Sequence, residues 1–173
     1  MSHVVVLGAG LGGTTMAYEL RDLLGTAHKI SVVNKGTKYS FVPSNPWVAV
    51  GWREREQVEI DLEEVFRRRD IGLYPQGAKR LNPATKSIEL LDGSMVAYDY
   101  LVIATGPDLA FDEIPGFGPA AETQSVCFID HALEAKLAFD TLVANPGPVV
   151  IGAVQGASCF GPAYEFAFIL EKA

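Results

Sequence analysis

Sulfur is scarce in this sequence: its two cysteines, Cys127 and Cys159, are too few for a disulfide framework and too widely spaced for a zinc ribbon. The chemistry left to them is that of reactive thiols, and no metal site is expected. Positive charge is also scarce. With 14 Lys and Arg against 21 Asp and Glu, the net charge of −7 repels phosphate polymers, and no basic face with interleaved aromatics appears, so nucleic acid is excluded as a partner. No apolar run approaches the length of a membrane span, and no basic and apolar leader precedes the first strand; the chain reads as soluble and made in the cytoplasm. Disorder is excluded as well, because the composition is 49% hydrophobic with 17 Gly and 10 Pro, that of a turn-rich globular chain. At 173 residues it can bury one good core, enough for one domain or one and a fraction.

What is present organises itself around HVVVLGAGLGG, His3–Gly13. Val4, Val5, Val6 and Leu7 read as a strand buried on both faces of a parallel sheet. Gly8, Gly10 and Gly13 then follow in G-x-G-x-x-G spacing: the first for the tight turn, the second for close approach of backbone to a diphosphate, the third for packing of the next helix. That helix is predicted over 11–24, stopping at Gly25, with its unpaired N–H groups and positive dipole end toward the phosphates. KISVV, Lys29–Val33, supplies the second parallel strand of a β-α-β unit. Where an NAD site of this kind carries Asp or Glu for the ribose hydroxyls, this chain has Asn34 and then Lys35. Asn34 is read as a neutral ribose contact or as a turn-former before Gly36.

Farther on, FVPSNPWVAVGW (41–52) fits neither helical nor strand periodicity and reads as an apolar loop covering a core or a flat ligand. Asp61 opens a helix, with Glu64 completing a capping box and Arg67, Arg68 and Arg69 at the far end. Residues 71–104 read as a β-meander with turns at Asn82-Pro83 and Asp92-Gly93, feeding back into the main sheet. Its last strand, 100–104, ends in Thr105 and Gly106, where open α/β sheets bind ligands; a plain strand-ending turn is the alternative. Residues 108–122 form a Pro- and Gly-rich linker. Beyond it come a strand at 125–129 around Cys127, a helix near 130–142, and a second strand-glycine-helix unit beginning at Val149, whose Gly152 and Gly156 are followed by Cys159. One strand and one helix do not close a domain, so the chain reads as a truncated piece of a longer protein. The expected fold class is α/β: a Rossmann-like domain with parallel sheet and β-meander over 1–107, the linker 108–122, and the beginning of a second dinucleotide-binding-like domain over 123–173.

This order of parts resembles the front of the two-dinucleotide-domain flavoprotein oxidoreductases, relatives of the pyridine nucleotide-disulfide oxidoreductases. Within that group FVPSNPWVAVGW, YDYLVIATGP and IGAVQGASCFGPAYEFA are similar to the sulfide:quinone oxidoreductases, and the likeness covers nearly the whole chain. The resemblance implies FAD as cofactor, with its diphosphate over Gly8, Gly10, Gly12 and Gly13, Asn34 and Lys35 near the adenosine ribose, and Thr105 and Gly106 against its middle. Pro43, Ser44, Asn45, Pro46 and Trp47 would approach the isoalloxazine. Cys159 matches the family's redox cysteine and Cys127 a second one that is bonded to flavin or carries sulfur in some members. His131 and Glu165 match polar positions suited to moving protons. The implied partners are sulfide and quinone, with membrane attachment only through a C-terminal region beyond residue 173, so that the intact protein would be peripheral to the inner (cytoplasmic) membrane.

The residues agree with that chemistry. A thiolate at Cys159 is favoured by a helix N-terminus, and sulfide attack on a Cys159 disulfide or polysulfide bridge frees a thiolate whose electrons the flavin takes. Quieter readings stand beside this one: Cys127 as a buried inert thiol, His131 as an ordinary helix-start residue, Glu165 as an i,i+4 partner. Rival functions are the flavin subunit of a flavocytochrome sulfide dehydrogenase, an NADH:quinone oxidoreductase of the same architecture, or, for the fragment alone, a non-catalytic nucleotide-binding module. Without its partners, the apolar stretch 149–170 is expected to seek cover by packing or self-association, and the fragment to hold flavin weakly or not at all and to be inactive.

Overall fold

A computed structural model describes residues 1–157 and 160–173. Its elements are β1 (His3–Leu7), α1 (Leu11–Leu24), β2 (Lys29–Val33), β3 (Lys38–Ser40), α2 (Asn45–Ala49), α3 (Arg55–Val58), β4 (Glu59–Asp61), α4 (Leu62–Arg67), β5 (Gly72–Tyr74), β6 (Ala78–Asn82), β7 (Ser87–Leu90), β8 (Met95–Ala97), β9 (Tyr100–Ile103), α5 (Ile129–Ala144) and α6 (Gly161–Lys172). Two compact units divide the chain: unit 1 comprises Met1–Tyr39 and Ile60–Asp108, unit 2 comprises Ser40–Glu59 and Leu109–Ala173. The sequence predicts 1–107 as one domain; in the structure 40–59 instead joins the residues from 109 onward. The reason is apolar: Val48, Ala49 and Val58 pack against Ile129, Ala132 and Ala135.

Unit 1 is built on a four-stranded parallel sheet in the order β5-β2-β1-β9. The continuous apolar run of β1 follows from burial on both faces. Val6, with Ile30 and Val32, meets Ala17, Leu62 and Phe66 on the helical side, whereas Val5 and Val33 meet Ile88, Leu90 and Val96 on the other. Each of these valine, leucine, isoleucine and phenylalanine side chains is worth about 1.5–3 kcal/mol when fully buried. The second face is covered by the antiparallel meander β6-β7-β8. Its turns are those the sequence marks, with Gly93 at φ 85° and Asp92 Oδ1 accepting the Ser94 N–H at 2.9 Å. The predicted meander also takes in 71–77; there the structure differs, since β5 lies parallel to β2 in the main sheet. A Cβ at Gly72 would come within 2.8 Å of Ser31 Oγ, so glycine is what lets β5 lie this close.

α1 spans the predicted residues and ends at Gly25, φ 57°. Its buried residues, Gly13, Ala17 and Arg21, fall four apart on one stripe, and the stripe widens from no side chain to a long one. Arg21, 8% exposed, donates from Nη1 to the carbonyls of Gly25 and His28 and from Nη2 to that of Asp70. α4 begins at Asp61, whose Oδ1 accepts the N–H groups of Glu63 and Glu64; the Glu64 carboxylate pairs forward with Arg68 rather than closing a capping box.

In unit 2 the stretch predicted as an aperiodic loop is helical: a 3-10 turn over Val42–Ser44 runs into α2, with Pro46 in the first turn, where its missing N–H costs nothing. α2 shares one core with α5 and with Phe166 of α6. Residues 125–128 form no strand; they lead into α5, which starts at Ile129. The strand expected at 149–151 is likewise absent, and Val150 is 97% exposed. A parallel strand takes its hydrogen bonds from neighbours and none is offered among the described residues, whereas α6 bonds within itself. Among the described residues no helix is long and apolar enough to cross a membrane.

One titration is built into unit 1. His3 Nε2 lies 3.0 Å from Ser31 Oγ, a fully buried hydroxyl, and burial followed by the nearby Lys29 charge lowers the His3 pKa below its usual 6.5. The unfolded chain therefore binds this proton more readily. The stabilising contribution is complete above about pH 6.5 and is lost as pH falls through the lowered value. We expect the thermal midpoint to drop between about pH 7 and pH 5, and H3Q to flatten that part of the profile; an unchanged slope in H3Q would refute it.

Candidate functional site

The carboxyl ends of β2, β1 and β9 make the edge at which the candidate site of unit 1 lies. Because β2 flanks β1 on one side and β9 on the other, the sheet changes its winding direction at β1, the position where open α/β sheets leave a crevice for ligands. Leu7 and its neighbours are pinned there: the Gly8 N–H donates to Val33 O at 2.8 Å and the Ala104 N–H to Leu7 O at 2.8 Å.

The four glycines of the turn divide into two kinds. Gly8, at φ 102°, would bring a Cβ within 2.4 Å of Ala104 O, and a Cβ on Gly13 would lie 1.9 Å from Gly8 O; packing excludes any side chain at both. At Gly10 and Gly12 a Cβ would meet nothing within 4 Å. The fold itself does not need glycine there, but a diphosphate approaching the backbone does. The helix end behind them fits the same group. α1 has no side-chain cap at Gly10 and no acidic residue in its first turn, so its opening N–H groups and dipole face an unopposed opening. Thr14, which the sequence motif does not single out, donates its hydroxyl to Ala9 O at 3.0 Å and ties the turn to the helix. A hydroxyl immediately after the last glycine is the signal that points to it.

Asn34 and Lys35 stand where ribose recognition is expected. The Asn34 amide is used inside the protein: Oδ1 accepts the Ala9 N–H at 3.1 Å and Nδ2 donates to Gly36 O at 3.0 Å. Lys35 is exposed, and its backbone bridges Gln76. Thr105 and Gly106 are exposed at the end of β9, with Thr105 Cα only 3.0 Å from the place a Gly8 Cβ would take and Gly106 at φ 72° with open space around it. The structure thus brings together the glycine turn, Asn34 and Thr105.

In unit 2 Ser44 is half-buried, Pro46 is buried and Asn45 is fully buried. Neither amide atom of Asn45 has a hydrogen-bond partner among the described residues. Leaving such a group unmet costs about 1–3 kcal/mol, so it marks a place where a polar group is owed. Trp47 beside it is partly exposed, with the Arg53 guanidinium 5.1 Å from its ring centre.

Cys127 is exposed, contrary to the buried alternative, and its N–H donates to Ser125 Oγ at 3.2 Å. His131 is in the first turn of α5, its ring edge-on to Phe111 and Phe128 at 5.5 and 5.2 Å, and its Nδ1 is buried with no partner among the described residues. Asp130 next to it pairs with Arg55 at 2.8 Å. Glu165 is exposed on α6. Cys159 lies outside the described residues. Residues Gly152, Gly156, Ala157, Phe160, Ala163 and Tyr164 line a shallow depression of about 450 Å³.

A family profile described as pyridine nucleotide-disulphide oxidoreductase matches residues 2–160. The chain is 42% identical over 169 residues to the sulfide-quinone reductase of Aquifex aeolicus (strain VF5), covering 98% of this chain and 38% of that protein. It is 33% identical over 126 residues to the epsilon subunit of NADH-dependent phenylglyoxylate dehydrogenase from Aromatoleum evansii, covering 72% of this chain and 29% of the subunit. Its fold matches the crystal structure of the sulfide:quinone oxidoreductase from A. aeolicus with a TM-score of 0.88 at 40% identity, over 99% of this chain and 40% of that one. The chain therefore spans about two-fifths of the length of these sulfide-oxidising relatives.

Proposed function

The chain belongs to the pyridine nucleotide-disulphide oxidoreductase family, and from that premise we propose that it serves a reaction in which sulfide is oxidised and the electrons pass through FAD to quinone. The family and its sulfide-quinone reductases are FAD-binding flavoproteins. The observation that carries the reading is the pair Gly10 and Gly12, glycines that packing does not demand, above an uncapped helix N-terminus on the sheet edge. The identity to a sulfide-quinone reductase over nearly the whole chain supports the choice of sulfur as electron source.

In this reading the backbone of Gly8, Gly10, Gly12 and Gly13 holds the diphosphate, and Thr105 and Gly106 border the cofactor. FAD, when bound, supplies the two-electron acceptor. Cys159 holds the sulfur under attack and Cys127, being exposed, carries or relays sulfur. His131 Nδ1 and Glu165 take up and release the protons of sulfide and thiol. In this reading residues 1–173 bind nucleotide without completing turnover by themselves.

Titration of the chain with FAD, followed by flavin fluorescence, is expected to show weak saturable binding; a tightly bound stoichiometric flavin in the purified chain would contradict that division of labour. For the whole protein, sulfide and not NADH is expected to bleach the flavin anaerobically. Reduction by NADH as fast as by sulfide would overturn the assignment.

A further inference from the structure

Asn34 sits where dinucleotide folds commonly place the carboxylate that binds a ribose, yet every polar group it has is occupied within unit 1. Its backbone N–H donates to Tyr74 O at 2.9 Å and its backbone carbonyl accepts the Gly77 N–H at 2.9 Å. Its side chain accepts from Ala9 and donates to Gly36. Ala9, between two glycines of the cradle, is 3% exposed and held on both sides, its N–H by Asn34 and its carbonyl by the Thr14 hydroxyl.

We infer that Asn34 is a positioning residue for the diphosphate cradle, acting through the Ala9 peptide, and that its neutrality is required. The inference rests on the reading of this turn as a cofactor site. Only an amide can do both tasks: an aspartate would accept from Ala9 but could not donate to Gly36 O. It would also set a negative charge beside the place of a dianionic group, where no first-turn acid of α1 stands. Recognition at the end of β2 is therefore spent on the shape of the turn rather than on the ribose. A turn held from β2 and from α1 meets its ligand without further ordering.

The test compares the whole chain with N34D and N34A, using ADP, which carries the diphosphate without the flavin, and FAD as probes. N34D is expected to weaken both about tenfold at low salt, and the deficit to shrink by half or more at about 0.5 M salt, where charge is screened. A purely structural loss would not respond to salt in this way. The ligand-free thermal midpoint of N34D should stay within about 3 °C of the parent. Amide hydrogen exchange at Ala9 should be slow in the parent and in N34D and fast in N34A. Equal affinity of N34D and parent, a deficit unchanged by salt, or an Ala9 amide still protected in N34A would each overturn the inference. If the parent binds neither ADP nor FAD, the cofactor reading falls, and exchange at Ala9 still decides whether Asn34 holds the turn. Where N34A does not fold, the N34D titration decides alone.

Discussion

Gly13→Ala is expected to destabilise unit 1 by about 3 kcal/mol, because the new methyl would lie 1.9 Å from Gly8 O and 2.9 Å from Gly8 C. Both are backbone atoms held by the sheet, since the Gly8 N–H is bonded to Val33 O, so neither can swing aside as a surface side chain would. For a chain of this length the thermal midpoint should fall by about 6–12 °C. Gly12→Ala is the control in the same turn. Its methyl meets nothing within 4 Å, and alanine is favoured over glycine in a helix by about 1 kcal/mol, so the midpoint should hold or rise. Binding of ADP or FAD should nonetheless weaken about tenfold or more, because the added methyl fills the approach to the N–H groups. Thermal unfolding by circular dichroism and nucleotide titration read the two effects separately. A stable Gly13→Ala would refute the packing argument, and undiminished binding by Gly12→Ala would refute the cradle.

Arg21→Met should cost about 2–4 kcal/mol, read as a lower denaturant midpoint at unchanged slope. The guanidinium reaches the carbonyls of Gly25, His28 and Asp70, which belong to the exit of α1, the approach to β2 and the turn before β5. Asp70 holds φ 51°, an uncommon conformation for a non-glycine residue, and Arg21 is the side chain that satisfies its carbonyl. Methionine fills similar volume and leaves all three oxygens without this donor. Arg21→Lys should recover only part of the loss, since one ammonium on a flexible stem does not match the guanidinium fork. Loss of less than about 0.5 kcal/mol in Arg21→Met would show that water replaces the arginine freely.

What the sequence discloses is what is local. β1, the glycine turn, α1 and β2 follow from a β-branched run, a spaced glycine set and a helical stripe closed by Gly25, each read within a few residues. The Asp92-Gly93 turn and the Asp61 cap are of the same kind. Partners distant in the chain are not legible. β5 is a three-residue strand containing a glycine, and only its place against β2, with Gly72 beside Ser31, makes it part of the main sheet. The helicity of 45–49 depends on a core supplied by α5, because five residues alone cannot sustain a helix. At the site, the glycine turn is visible in its spacing. The inward commitment of the Asn34 amide is not, since nothing in one sequence says that Ala9 will lie beside it.

Unit 2 draws on two separated lengths of chain, and this bears on how the protein emerges from the ribosome. Residues 40–59 are synthesised early, yet the surface that covers Val48, Ala49 and Val58 arrives only with Ile129, Ala132 and Ala135. Until α5 has cleared the exit tunnel, these side chains remain in water on a nascent chain whose parallel sheet can already close, an interval in which a chaperone has something to hold.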